Sequence, residues 1–434
     1  MGLQTLHMAI ASILLIAVLL CVVLRPRGLN VAWSASVGAV IAMVLGLVPI
    51  TALRTIFNDT WDASATLIAL FLLSQALDAH GFFAWAALYL ARIARGSGWL
   101  LYILILVLTL ATAALLANDG AVLILIPIFA TLLLKIYKAE TLRLPFLFAA
   151  GFLADATSTL FVPSNLTNII IVDASRLNFT TFAQWMALPT LLAAITAGCC
   201  FGVRFHRLLG KNYDTSMLEQ PDAVLQDRLL FWASWAALSL LVIGYIIGSQ
   251  FHLPISSIAG PIAFTMVLLV HVRQIRSARS LLLAAPWSIL LYALGMFVVI
   301  TAAYQAHVLS FLTIPLRAFV MPTADVVGAL LSGSIVAFLS AATNNLPTTL
   351  IGVLVLHGVA RPNLLAIYAM VLGVDIGPKF TAFGSLATLL WLDILRRNGI
   401  RISWLRYFYE NWWITLVTLG MSFVGLVVSY VLFK

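Results

Sequence analysis

The sequence predicts an all-α polytopic membrane protein made of two inverted-topology repeats, and three observations carry that expectation. Hydrophobic residues make up 63% of the 434-residue chain and charged ones only 9%, against roughly 25% charged in a soluble domain. The apolar stretches recur at about the 20-residue length that crosses a bilayer. Matched features also recur between the two halves at a nearly constant spacing. The count comes to about ten crossings plus two re-entrant hairpins and two broken helices.

The net charge of +9 sits in short clusters between spans: Arg25/Arg27, Arg92/Arg95, Lys135/Lys138/Arg143, Arg204/Arg207/Lys211, Arg273/Arg276/Arg279 and Arg396/Arg397/Arg401/Arg406. This is the basic bias of cytoplasmic loops, not a nucleic-acid footprint. It orients each element in turn. Residues 5–24 lack a charged leader and cleavage site, so they read as a retained span rather than a signal peptide. Residues 31–50 then leave and 62–78 return. Residues 81–94 are short and amphipathic, which suits the interface. Residues 99–137 form a hairpin of two short legs with basic flanks on the same side. Residues 144–174 cross outward with a break, and 182–203 return, closing a first repeat over 1–203. Residues 204–228 mix both signs and read as a solvated cytoplasmic linker.

The second repeat, 229–434, follows the same order. Spans 229–249, 254–271 and 286–304 precede an interfacial helix at 306–320. A hairpin at 325–359 enters from the opposite side, a broken crossing occupies 364–395, and 411–432 exits. Trp61/Trp287, His80/His307, Asn118/Asn344 and Asp155/Asp375 correspond at offsets of 226, 227, 226 and 220 residues. Five crossings per half is an odd number, which inverts the second copy. Inverted repeats with broken helices near the midplane are typical of secondary transporters.

Four polar interruptions fall inside these spans: Ala117-Asn118-Asp119-Gly120, residues 155–168, Thr343-Asn344-Asn345-Leu346-Pro347 and residues 373–379. Ionisable groups at that depth are functional candidates, and broken helix is tolerated there only when buried in protein or lining a cavity. Asn118, Asp119 and Asn345 also suit helix capping. Asp155 and Asp375 must each be protonated, paired or hydrated. Lys379 lies four residues after Asp375 and can pair with it if the segment stays helical, which Pro378 opposes. Ser164, Asn165, Thr167, Asn168, Thr381, Ser385 and Thr388 add amides and hydroxyls that suit a small neutral solute. His80 and His307 read as headgroup anchors. Asp62, Asp78, Asp173 and Asp393 read as solvated span ends. Tryptophans such as Trp61, Trp185 and Trp404 read as an aromatic belt.

No enzyme motif is present: no Walker A loop, HExxH or GxSxG. An intramembrane aspartyl hydrolase would leave the repeat unexplained. Cys21, Cys199 and Cys200 lack zinc or redox spacing. Neither a metal site nor a cofactor is expected.

The segments LLANDGAVLILIPI, GFLADATSTLFVPSNLTNI, AATNNLPTTLIG, GVDIGPKFTAFGSLATLLWL and ISWLRYF, with FNDTWDASATLIAL upstream, closely resemble the bacterial arsenite efflux permeases. These are the ArsB type of the ion transporter superfamily, and the likeness covers nearly the whole chain. It implies export of arsenite and antimonite by proton antiport across the bacterial inner membrane. It also implies an optional cytoplasmic ATPase of the ArsA type, a dimerising scaffold domain and a transport domain carrying both hairpins. On that reading Asn118, Asp119, Ser164, Asn165, Asn168, Asn344, Asn345, Thr381 and Ser385 bind the cargo. Asp119, Asp155, Asp375 and Lys379 handle protons. Sodium-coupled dicarboxylate relatives carry Ser-Asn-Thr at the hairpin tips; the different tips here argue against carboxylate cargo. A sodium/proton or organic-anion antiporter of the same superfamily, and a passive metalloid channel, are the alternatives.

Overall fold

The structure is a computed structural model that describes residues 2–26, 29–216 and 218–433. Arg27, placed above in the first basic cluster, lies outside the described residues. All regular structure among these residues is helical, and nine helices there are long and apolar enough to cross a membrane.

The first half runs α1 (Gly2–Leu24), α2 (Val31–Val44), α3 (Ile50–Ala79), α4 (Phe82–Ile93), α5 (Gly98–Leu116), α6 (Asn118–Ile136), α7 (Glu140–Ala156), α8 (Leu166–Ser175) and α9 (Phe179–Arg204). A connector carries the short α10 (His206–Leu209). The second half runs α11 (Arg228–Gln250), α12 (Ser256–Val272), α13 (Ala278–Ala284), α14 (Trp287–Gln305), α15 (Ser310–Val320), α16 (Val326–Thr343), α17 (Asn345–His357), α18 (Leu364–Ile376), α19 (Leu386–Arg397) and α20 (Trp404–Phe433). Apart from the short α13, every helix of the second half has a counterpart in the same order in the first.

Local chemistry starts these helices where apolar runs follow a small polar residue. The side chains of Asn30, Ser97, Asn178, Asp325 and Asn363 each accept a backbone N–H of the first turn of α2, α5, α9, α16 and α18. In lipid such caps satisfy donors that water cannot reach.

The packing repeats along with the order. Helix α2 lies against α14 as α12 lies against α3; α6 lies against α19 as α17 against α8; α5 lies against α7 as α16 against α18; and α9 lies against α20. Small residues allow the closest approaches, as expected where apolar area alone gives no preference for protein over lipid. A Cβ on Gly373 of α18 would lie 2.2 Å from the Gly333 carbonyl oxygen of α16, and one on Gly295 of α14 would lie 2.7 Å from the Ala35 backbone of α2.

Five expectations are corrected. The hairpin legs α5 and α6 have 19 residues each, about 28 Å, so they are full-length rather than short. The 204–228 connector is docked rather than loosely solvated. Tyr213 donates to the Ala91 carbonyl at 2.5 Å, Arg92 reaches the Leu218 and Glu219 carbonyls at 2.6 and 3.1 Å, and Lys135 pairs with Glu219 at 2.7 Å. His80 is no headgroup anchor: it is fully buried, with Nδ1 3.0 Å from the Ala76 carbonyl and Nε2 3.0 Å from Ser234 Oγ. Asp62 is buried and caps the start of α12, accepting from Ile255 and Ser256 N–H at 3.1 and 2.9 Å. Trp185 is buried and stacks on Tyr368, whereas Trp61 and Trp404 are exposed.

Candidate functional site

Both broken crossings are built alike. Asp155 is the penultimate residue of α7 and Asp375 of α18. A 3₁₀ turn follows each, at Val162–Ser164 and Gly377–Phe380. A cap then restarts the helix: Asn165 accepts Thr167 N–H for α8, and Ser385 accepts Thr388 N–H for α19.

The caps also reach across to the other half. Ser385 Oγ donates to Asp155 Oδ2 at 2.6 Å, and Asn165 Nδ2 donates to Asp375 Oδ1 at 2.8 Å. Each carboxyl is therefore held by the cap that follows the opposite break. All four side chains are buried.

The surroundings of the two carboxyls then diverge. Lys379 Nζ lies 2.6 Å from Asp155 Oδ2 and also donates to the Gly151 carbonyl at 3.1 Å and Thr388 Oγ1 at 3.0 Å. Asn118 Nδ2 donates to Asp155 Oδ1 at 2.8 Å. Thus Lys379 pairs with Asp155, not with its sequence neighbour Asp375. The short 3₁₀ turn around Pro378 breaks the i,i+4 geometry such a pair needs. Asp375 has no cation against it among the described residues. Its Oδ1 accepts from Asn165 and from Thr167 Oγ1 at 2.8 Å. Its Oδ2 is buried without a hydrogen-bond partner among the described residues, as is Asn168 Oδ1. Asn168 Nδ2 donates to the Ser158 carbonyl at 2.8 Å.

The hairpin tips close over these clusters. Ala117 at φ +65° and Asn344 at φ +88° occupy the same backbone position, each just before its second leg. Structurally, then, Asn118 corresponds to Asn345, one residue away from the sequence pairing. Both bends lie in a region that L-residues enter at a cost of about 1–3 kcal/mol, a feature that clusters at ligand clamps. Asn345 N–H donates to the Gly384 carbonyl at 2.9 Å and Asn344 Nδ2 to the Phe383 carbonyl at 3.0 Å. Ser385 is the next residue, so the two tips meet through residues 383–385 and Asp155.

The remaining expected residues divide. Asp119 is half-buried and within electrostatic reach of Asp155 and Lys379. Thr381 Oγ1 donates to the Ala341 carbonyl at 2.7 Å, tying the second break to α16. Ser164 Oγ donates to the Ser158 carbonyl at 2.5 Å and to the Phe161 carbonyl. It folds the first break and contacts neither carboxyl. Thr167 and Thr388, noted in the sequence only as nearby hydroxyls, bond directly to Asp375 and Lys379. Ser158, which donors from both Asn165 and Asn168 reach, carried no signal beyond its place in the break.

The family model described as arsenical pump membrane protein, ArsB, matches residues 9–430. The arsenical pump membrane protein of Yersinia enterocolitica is 37% identical over 424 residues, covering 96% of this chain and 97% of that one. The protein of the same name from Escherichia coli K12 is 36% identical over 423 residues, with 96% and 97% covered. With the match running through both hairpins and both breaks, this chain belongs to the ArsB family of arsenical pump membrane proteins.

Proposed function

We propose that the chain exports arsenite and antimonite from the bacterial cytoplasm in exchange for protons, as two inverted repeats in the inner membrane. The supporting observation is the unequal pair of carboxyls. Asp155 is locked to an ammonium, whereas Asp375 keeps one oxygen unshared beside Asn168.

That asymmetry suggests how exchange works. Arsenite at neutral pH is mostly an uncharged trihydroxide, so it needs acceptors and donors rather than a counter-charge. An ionised carboxyl only accepts hydrogen bonds; a protonated one also donates. Protonation of Asp375 Oδ2 turns its strongest acceptor into a donor, so the ionised and protonated forms hold the cargo differently. A cargo affinity that changes with protonation at one oxygen is what couples the two movements. Asn118, Asn344, Asn345 and the hydroxyls of Ser385 and Thr167 supply further donors and acceptors. Asp119, within electrostatic reach of Asp155, is an additional carboxyl. The cysteines lie on α1 and α9, so release needs no thiolate exchange, which would hold a soft metalloid tightly. An ArsA-type ATPase can associate with the same permease, and a dimer through the scaffold helices fits the superfamily.

Everted vesicles test this. Wild-type arsenite uptake should follow an imposed acid-inside gradient and collapse with a protonophore. Asn118→Ala should lower uptake at normal protein levels. Asp375→Asn should leave uptake insensitive to the gradient; gradient-driven uptake of normal size in that variant would remove Asp375 from the coupling.

A further inference from the structure

Three residues after Asp155, Ser158 holds the two amides that face Asp375. It is fully buried, and each of its polar atoms is engaged. Its N–H and its Oγ both donate to the Asp155 carbonyl, at 3.1 and 2.7 Å, and Oγ receives Asn165 Nδ2 at 3.3 Å. Its own carbonyl receives Asn168 Nδ2 at 2.8 Å and Ser164 Oγ at 2.5 Å. Asn165 Nδ2 donates in turn to Asp375 Oδ1 at 2.8 Å, and the Asn168 side chain is in hydrogen-bonding reach of the same carboxyl.

These contacts set the sense of each amide. A hydroxyl has one proton, and that of Ser158 is taken by the Asp155 carbonyl, so Oγ can only accept from Asn165. Asn165 must then turn its N–H groups to Ser158 and Asp375, while its own Oδ1 takes the Thr167 N–H at 3.3 Å. A carbonyl also only accepts, so Asn168 turns an N–H to Ser158. An amide without such a neighbour can reverse, giving N–H to an ionised carboxyl and C=O to a protonated one. The two breaks differ here. At the 220-residue offset that relates Asp155 to Asp375, Ser158 corresponds to Pro378, Asn165 to Ser385 and Asn168 to Thr388. Asp155 is held by an ammonium, Asp375 by oriented amides and a hydroxyl.

We infer that Ser158 is a positioning residue for proton coupling: by locking Asn165 as a donor to Asp375 Oδ1, it reserves Oδ2 as the oxygen that gains and loses the proton. Oδ1 already accepts from Asn165 and Thr167, so a proton there would displace one of them. Loading forms one O–H bond at Oδ2 and removes the carboxylate charge; release to the cytoplasm breaks that bond and restores it. The charged groups facing Asp375 among the described residues are Asp155 and, against it, Lys379. Both lie across from the Ser158 hydroxyl's own contacts. The inference rests on the coupling role of Asp375 proposed above.

Arsenite uptake by everted vesicles, measured across pH at a constant imposed gradient, tests it. Ser158→Ala frees the Asn165 amide to reverse and give its C=O to a protonated Asp375. The pH of half-maximal uptake should therefore rise by about half a unit to one unit, the equivalent of one hydrogen bond. Ser158→Cys keeps a side chain of similar size with only a weak acceptor, and should move the profile the same way by less; it decides the matter if the alanine variant does not reach the membrane. A wild-type profile in the variants that do reach it would overturn the role of Ser158. In an Asp375→Asn background, Ser158→Ala should leave the remaining uptake unchanged, and a shift that persists there would overturn it too. Gradient-driven uptake of normal size in Asp375→Asn alone would instead remove Asp375 from the coupling, and this role with it.

Discussion

Lys379 has three N–H donors, and three acceptors surround it: Asp155, the Gly151 carbonyl and Thr388. An ammonium this deep is tolerated only when fully matched. Removing one member of a buried pair costs about 3–5 kcal/mol, because the other is left charged and alone. Lys379→Met should therefore lower the yield of monodisperse protein and its Tm. Adding Asp155→Asn to that variant should recover most of the loss. A single Lys379→Met variant as stable as wild type would show that the pair holds nothing together. Asp375→Asn should be mild by contrast, since an amide oxygen can still accept from Asn165 and Thr167 and no cation is stranded.

At the scale of elements, the docked connector shows what was legible in the sequence and what was not. Helices were legible, because nine of the apolar runs reach membrane length and several, such as those of α2, α5 and α9, begin after a capping residue. Asn118, Asp155 and Asp375 were legible because polar groups stand out in apolar sequence. The partner of Lys379 was not: proximity along the chain pointed to Asp375, whereas the contact joins opposite halves. Thr167 and Thr388 were equally obscure, since a hydroxyl that bonds a carboxyl or an ammonium reads like Thr60 or Thr109, which only bond the carbonyl four residues back. The connector contacts were invisible because backbone forms most of them. Gly96, at φ +85°, donates no side chain, but a Cβ there would lie 2.6 Å from the Tyr213 carbonyl oxygen. Gly96→Ala should cost about 1–3 kcal/mol from backbone strain alone, seen as a lower Tm. An unchanged Tm would mean that the connector is not held at this point.

For the whole molecule, the connector ends at a junction that titrates. Asp227 precedes α11, accepts from Leu229 and Leu230 N–H at 2.8 and 3.1 Å, and meets the Arg273 guanidinium at 2.5 Å. Desolvation works against its charge. The hydrogen bonds from Leu230, Arg273 and Leu229 outweigh it, and the carboxyl is held below the ordinary carboxylate range. A depressed folded value means that the stabilisation is complete above the unfolded value of about 4. It is lost as pH falls through the folded value. Asp227→Asn should thus lower thermal stability at neutral pH and flatten its decline on acidification. The same steep acid decline in the variant would place the titrating group elsewhere.

The crossed caps have a consequence for how the chain is made. Asn165 and Asp375 are 210 residues apart, and Ser385 and Asp155 are 230 apart. When translation has delivered only the first nine helices to the bilayer, Asp155 lacks the ammonium it meets in the complete fold. Until Lys379 has been inserted, that carboxyl has to be protonated or hydrated instead. A polypeptide that stops short of Lys379 therefore lacks the ion pair that buries this carboxyl in the complete fold.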